Sequence, residues 1–504
     1  VGQPSIMIIG AGFGGITLAL ELRRAGLTDI TILEKGDDVG GVWRVNTYPG
    51  AACDVPSPLY SISTEPNPEW PRRFSEQPDI LAYLRGVVAD HGLRRLIRFG
   101  VEVRTAEFDE QTNRWSVRTA DGEVFESDVL VTAVGQLSRP AIPALPGRDT
   151  FAGEAFHSAE WDHDIPLAGR RVAVIGTGAS AIQFVPAIAP VVGRLTLFQR
   201  SAPWILPKPD TEYRPWHHRL FRAVPAAQRA ERLLTWGVFE ILTVALVDTK
   251  SRGRLAGRLA RRHLERQVAD PVLRAALTPD HEPGCKRMLL SDDYYPAVAR
   301  SNVEVVVDGI ERIEPEGVRA SDGTLYPADV IVYGTGFAAT EFLAPMTIRG
   351  RGGLTLAEAW SDGAQAYLGM TTAGFPNLFM MYGPNTNLGS GSIVYMLESQ
   401  ARHIVGLVQW LIEQPGLAVE VDAGVERRFN ERIQRRLATS VWSLCASWYR
   451  SASGKITTNW PGTVTAYRHR TRRVDRRDYR ITATRTVPAH TPPAPGAAGS
   501  HRSR

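Results

Sequence analysis

The sequence predicts an α/β fold with two Rossmann-like domains in one chain and a helical insertion in the second. Three observations predict it. A short apolar run, 6-IMII-9, leads into Gly10-x-Gly12-x-x-Gly15 and then into a helical pattern. The same arrangement returns at 171-RVAVIGTGASAIQFVPAIA-189, with Gly176-x-Gly178-x-x-Ala181. After each, a hairpin and strand recur: 117-VRTADGEVFESDVLVTAVG-135 resembles 318-VRASDGTLYPADVIVYGTG-336 at an offset of 201 residues throughout. Each copy carries Asp-Gly, a strong hairpin signal, followed by an apolar strand.

The glycines point to dinucleotide binding. They permit a tight turn, close backbone approach to a pyrophosphate and close helix-on-strand packing. The helix that follows presents free N–H groups and a positive dipole end to the phosphates. A lone Gly-rich turn is weak evidence, but here each is followed by a second strand, 30-ITILEK-35 and 195-LTLFQRS-201. Glu34 lies 24 residues after Gly10, and Arg200 lies 24 residues after Gly176. An acid at that position accepts hydrogen bonds from ribose hydroxyls and repels a 2′-phosphate. Arg200 followed by Ser201 binds one instead. The first unit is therefore expected to hold FAD or NAD, and the second NADPH.

The order of elements predicts a discontinuous first domain. Residues 1–145 begin the FAD-binding domain, and 150–330 form the NADPH-binding domain, with a helical insertion at 204–285. Residues 331–480 complete the FAD-binding domain through 376-PNLFMMYGPNTN-387, and 485–504 read as a disordered tail. Between the two units lies 151-FAGEAFHSAEWD-162, which reads as an unusually aromatic connection.

Composition narrows the partners. The net charge of +5 over 504 residues is no nucleic-acid signature, and the basic run 468-RHRTRRVDRR-477 reads as a solvated or anion-facing surface. Three cysteines without CxxC or metal spacing disfavour a dithiol redox enzyme and suggest a reducing, cytoplasmic setting. Cys53 and Cys285 are expected to be small buried apolar residues. The longest apolar stretch, 233-LLTWGVFEILTVALV-247, is broken by Glu240 and reads as a buried or lid-forming helix rather than a membrane span. His217 and His218 lack a third ligand, so no metal site is expected.

Within that frame the aromatic connection gains meaning. Phe151-x-Gly153-x-x-x-His157-x-x-x-Trp161-Asp162 resembles the fingerprint of the type I Baeyer–Villiger monooxygenases, and 41-GVWRVNTYPGAACD-54 resembles a second pattern of that family. The resemblance runs from about residue 5 to 480. It implies that Gly10, Gly12, Gly15, Glu34, Trp43, Asp54 and Tyr60 contact or shape the FAD site. It implies that Gly176, Gly178, Ser180, Arg200, Ser201 and Lys286 hold NADPH, with Trp448 of 446-ASWYR-450 reaching nicotinamide ribose and substrate. It also implies that Arg287, next to Lys286, is the catalytic arginine, and that Asp54 orients it. A fixed guanidinium suits a reaction whose intermediates, a deprotonated flavin peroxide and its adduct with a carbonyl, are both anionic.

The activity so implied is conversion of a small hydrophobic ketone and O2 to an ester or lactone. N- or S-oxygenation on the same fold is the alternative, and an NADPH oxidase or electron-transfer flavoprotein is a second class; Trp161-Asp162 and Arg287 favour the ketone. His157 is expected to be a joint between domains rather than an acid or base. Ser390 stands where relatives often carry His. Substrate identity, regiochemistry and oligomeric state stay open.

Overall fold

The computed structural model describes residues 2–247, 253–451 and 453–483, so the tail expected at 485–504 lies outside the described residues. Ten strands build two parallel sheets. In chain order they are β1 (Ile6–Ile9), β2 (Ile30–Glu34), β3 (Ile97–Phe99), β4 (Val129–Thr132), β5 (Glu154–His157), β6 (Arg171–Ile175), β7 (Arg194–Phe198), β8 (Val303–Val306), β9 (Val330–Tyr333) and β10 (Leu378–Met380). The first sheet has the order β10-β4-β1-β2-β3, and the second β8-β7-β6-β9-β5. β1, β4 and β9 are buried along their whole length, as strands covered on both faces must be.

The repeat seen in the sequence is a repeat of topology. β1 pairs in parallel with β2 and with the returning β4, just as β6 pairs with β7 and with the returning β9. Ahead of each returning strand stands an antiparallel hairpin, Arg114–Thr119 with Val124–Ser127 and Gly317–Ala320 with Leu325–Pro327. The first sheet takes its outer strand, β10, from far down the chain.

The aromatic connection is not a loop. Its residues 154–157 form β5, the outer strand beside β9, in the place that β10 takes in the first sheet. Phe156 and Trp161 are buried against each other, with ring centroids 5.2 Å apart, and Trp161 packs on Phe184 at 5.4 Å. Gly153 is forced by crowding, since a Cβ there would sit 2.3 Å from the Asp329 carbonyl and 2.8 Å from the Phe151 ring. The aromatic content that sat oddly with a connection is explained, because an edge strand needs a core-facing side.

Helices α1 (Phe13–Arg24) and α2 (Ala181–Ile188) follow the two Gly-rich turns. The predicted insertion contains α3 (Pro215–Ala223), α4 (Pro225–Val247), α5 (Gly253–Gln267) and α6 (Pro271–Ala276). Of the two readings of its apolar stretch, buried or lid-forming, α4 departs from the first, because much of its apolar side is exposed. Leu234 is 73% exposed and Ile241 68%. No helix among the described residues is long and apolar enough to cross a membrane. The basic run at 468–477 is a solvated surface, where Arg476 pairs with Glu413 and Arg477 with Asp475.

Candidate active site

Both Gly-rich turns sit at the C-terminal ends of the central strands, where open α/β sheets bind ligands. Gly10 has φ +107° and Gly176 +106°. A Cβ on Gly10 would lie 2.6 Å from the Ala133 carbonyl, and one on Gly176 2.5 Å from that of Gly334. Gly15 is equally constrained, 2.0 Å from the Gly10 carbonyl. Gly12 and Gly178 differ, for their nearest neighbours would be 3.5 and 3.8 Å away. The first and third positions of the first turn need glycine for packing, whereas the middle one is bare toward an incoming group. That is the cradle a pyrophosphate requires.

The two equivalent positions, Glu34 and Arg200, differ in their surroundings. Glu34 is buried, and its carboxylate accepts N–H bonds from Ala11 and Gly36, both at 2.8 Å. It thus braces the turn, with lone pairs to spare for ribose hydroxyls. Trp43 and Tyr60 stand beside this turn, joined by an indole-to-phenol hydrogen bond of 3.1 Å, with Tyr60 edge-on to Phe13 at 5.2 Å. In the second unit Lys286 donates from Nζ to the Ser201 hydroxyl at 2.9 Å. Burial, and then the charge of Arg200, push the Lys286 ammonium below its usual range. Two neighbouring cations, one of them on a hydroxyl, suit a doubly charged anion. The residues of both turns therefore fit FAD and NADPH.

Asp54 and Arg287 meet although 233 positions separate them. Arg287 donates from Nε at 3.0 Å and from Nη2 at 2.7 Å to the same Asp54 oxygen. The carboxylate is the largest influence on the guanidinium and raises its already high pKa further. Asp54 is set in place by the loop before it. Gln183 of α2 accepts from the Tyr48 hydroxyl at 2.9 Å and donates to the Ala52 carbonyl at 2.9 Å, so the loop is clamped across the two domains.

Arg287 looks into a small cavity that Thr243, Gly389, Ser390, Trp442 and Tyr449 also line. Burial raises the Tyr449 phenol to about 12, against the pull of Arg287. Cys285, adjoining Lys286, is disulfide-bonded to Cys445. This corrects the expectation of a free, merely space-filling Cys285; Cys53 does remain free and buried. No cluster of three or more metal-ligating side chains occurs among the described residues.

Known proteins carry the same plan. The pyridine nucleotide-disulphide oxidoreductase family matches residues 7–241. The solved structure of cyclohexanone monooxygenase from Rhodococcus sp. Phi1, bound to NADP+, superposes with a TM-score of 0.86 at 30% identity, covering 95% of this chain and 99% of that one. A steroid monooxygenase bound to NADP gives 0.85 at 31% identity, covering 95% and 99%. A Baeyer–Villiger monooxygenase of Streptomyces coelicolor is 47% identical over 479 residues, 94% of this chain and 92% of the relative.

The chain belongs to the Baeyer–Villiger monooxygenase family.

In this Baeyer–Villiger family member the residues of the two patterns fall into different places. His157 ends β5, fully buried, level with Tyr333 and Ile175. Its Nδ1 accepts from the Ala159 N–H at 3.1 Å, so Nε2 carries the proton and faces the Gly336 carbonyl without closing a hydrogen bond. Its ring packs edge-on against Phe337 on the crossing back to the first domain, at 5.7 Å. Trp161 is a core residue of the second domain, and Asp162 is exposed and caps a turn by accepting from the Asp164 N–H at 2.9 Å. Trp448 is 40% exposed and packs on Tyr449 at 4.3 Å. It is Tyr449, not Trp448, that lines the cavity. Tyr449 and Gln183 were missed in the sequence, the first for standing beside a more conspicuous Trp and the second for carrying no pattern.

Proposed function

We propose that this member of the family is an FAD-dependent, NADPH-consuming Baeyer–Villiger monooxygenase that converts an apolar ketone to an ester or lactone. The observation that carries the reading is the Arg287 guanidinium at the cavity wall, braced by a carboxylate from the other domain. As a stabilising contact the pair contributes little, since both side chains are about a quarter to a third exposed. Its position matters more.

FAD, reduced by NADPH, supplies the activated oxygen when bound. Gly10, Gly12, Gly15, Glu34, Trp43 and Tyr60 would hold it, and Gly176, Gly178, Ser180, Arg200, Ser201 and Lys286 would hold NADPH. Arg287 supplies a charge that cannot be lost. Asp54 takes two of its five N–H donors, and three remain for an oxyanion. A preorganised donor of this kind acts most strongly where water is excluded. A carbonyl bound beside Arg287 gains as its oxygen becomes negative, whereas a protonated amine would be repelled. Trp442 and Met288 give the cavity an apolar wall suited to a ketone.

The test is aerobic turnover with NADPH and a panel of ketones and sulfides. Wild type should yield esters. Arg287→Ala should lose about 10²–10³-fold or more of that rate, while NADPH still bleaches its flavin under anaerobic conditions. Ester from Arg287→Ala at near the wild-type rate, or sulfoxides as the only products of wild type, would contradict the reading.

A further inference from the structure

α4 turns most of its aliphatic side chains to solvent. A surface helix ordinarily turns its apolar stripe to the core and its polar side to water. On α4 the core side holds only Trp236 and Phe239 as large apolar groups among the described residues, and four polar side chains share it. Gln228 donates to the Asn67 carbonyl at 2.6 Å, and Arg232 donates to the Ser61 carbonyl at 2.9 Å and lies over the Tyr395 ring. Glu240 accepts the Val464 N–H at 3.0 Å, and Thr243 reaches the Ser390 carbonyl at 3.4 Å. The opposite side carries Leu233, Leu234, Val238, Ile241, Leu242 and Val244, all exposed. The spacing of 234, 238 and 241 makes this one continuous stripe.

The exposure is concentrated, not scattered. Eleven of the eighteen exposed large hydrophobic side chains among the described residues lie between Trp216 and Leu259. The six on α4, which share one side of a single helix, are the kind of exposed apolar stripe that marks an interaction surface. Charge says what kind. Helices α3, α4 and α5 together carry nine arginines against three glutamates, a net +6, where the whole chain has only +5. Arg219, Arg229, Arg258, Arg262 and Arg266 are exposed and make no ion pair among the described residues.

We propose that the exposed apolar stripe of α4, with the unpaired arginines of the helices before and after it in the chain, rests on an anionic lipid surface. Leucines and valines on that side would enter the headgroup boundary, and the arginines would meet lipid phosphates, as in helices that lie in a membrane interface. Each arginine near such a surface raises partitioning about fivefold. α4 cannot span the bilayer, since Arg229, Glu231, Arg232 and Glu240 interrupt it. A second copy of the chain fits poorly, because a symmetric contact would set +6 against +6. The inner side of the same helix places Thr243 in the cavity wall beside Arg287. On the function proposed above, docking would hold the cavity close to the phase in which an apolar ketone dissolves.

The experiment is flotation of the FAD-loaded protein with phosphatidylcholine vesicles, with and without phosphatidylglycerol, at low and high salt. Binding should be at least about tenfold stronger with phosphatidylglycerol and should be lost at high salt. Leu234→Glu with Ile241→Glu, and separately Arg258→Glu with Arg262→Glu, should abolish it while NADPH consumption with a water-soluble ketone stays unchanged. No binding to the anionic vesicles, or binding indifferent to both variants, overturns the proposal. So does a dimer in solution that Leu234→Glu dissociates, or capture by polyglutamate, in place of vesicles, through the same leucines. The binding readout is independent of turnover, so failure here and failure of the ketone assignment are told apart.

Discussion

Glu34 and Arg200 occupy one position in two copies of a unit and carry opposite charges, which is the ground for proposing a different nucleotide at each. Lys286 meets the Ser201 hydroxyl and feels the charge of Arg200, and among the described residues no acid forms an ion pair with either cation. Charge-assisted hydrogen bonds contribute about 1.5–3 kcal/mol each. Arg200→Ala should therefore raise KM for NADPH about 10–100-fold and leave KM for NADH nearly unchanged in steady-state assays. An equal rise for both nucleotides would mean that Arg200 serves the turn and not the 2′-phosphate.

His157 makes a prediction of the opposite kind, about stability. Burial holds its imidazole below the ordinary range. Above the unfolded-chain value of about 6.5 it is neutral in both states. As pH falls through that value the unfolded chain takes up a proton that the folded chain refuses, and stability drops. His157→Gln has no such proton. The difference in unfolding midpoint between wild type and His157→Gln should shrink between about pH 7.5 and about pH 5.5. A difference that is flat across that range would show His157 to be charged or solvated. At this scale the glycines and the ribose charges were legible from spacing. The Asp54–Arg287 pair was legible only through family resemblance. Asp54 stands in a Pro-rich turn just before Val55 and Pro56, and nothing local links it to a Lys-Arg dipeptide more than two hundred positions beyond.

Among elements, the two hairpins and the returning strands were legible because a repeat displays its own register. β5 was not: four residues, two of them exposed, read as a loop until a neighbour supplies the ladder. For α4 the sequence left two readings open, buried or lid-forming, for a physical reason. Its apolar residues follow helical spacing, but spacing alone does not say which side faces inward: Trp236 and Phe239 pack on the core while Leu234, Val238 and Ile241 face solvent. The Cys285–Cys445 bond was equally hidden, since its partners are 160 positions apart. It ties the segment carrying Lys286 and Arg287 to the one carrying Trp448 and Tyr449. A bridge closing so long a loop typically contributes about 2–4 kcal/mol. Cys445→Ser should lower the thermal midpoint, and a thiol reductant should lower wild type to the level of the variant without affecting the variant. A reductant effect equal in both would remove the bridge from the account.

For the whole molecule, the decisive arrangement is that neither domain owns the site. Asp54 comes from the first and Arg287 from the second, and Gln183 clamps the loop that carries Asp54. β5 and His157 stand at the crossing where the chain returns through Phe337. A rotation of one domain on the other, driven by binding at the second nucleotide site, would move the guanidinium relative to its carboxylate. The broad plan of two units and a returning chain was legible in the sequence. The seam between them was not, because it is made of single contacts that no periodicity records.

The central claim is oxygen insertion beside a carbonyl under the charge of Arg287. Its most direct test is mass spectrometry of aerobic turnovers with NADPH and ketones under 18O2. An ester or lactone carrying one labelled oxygen is the expected product. NADPH consumption that yields hydrogen peroxide and no labelled ester from any ketone, or label found only in sulfoxides, would contradict it.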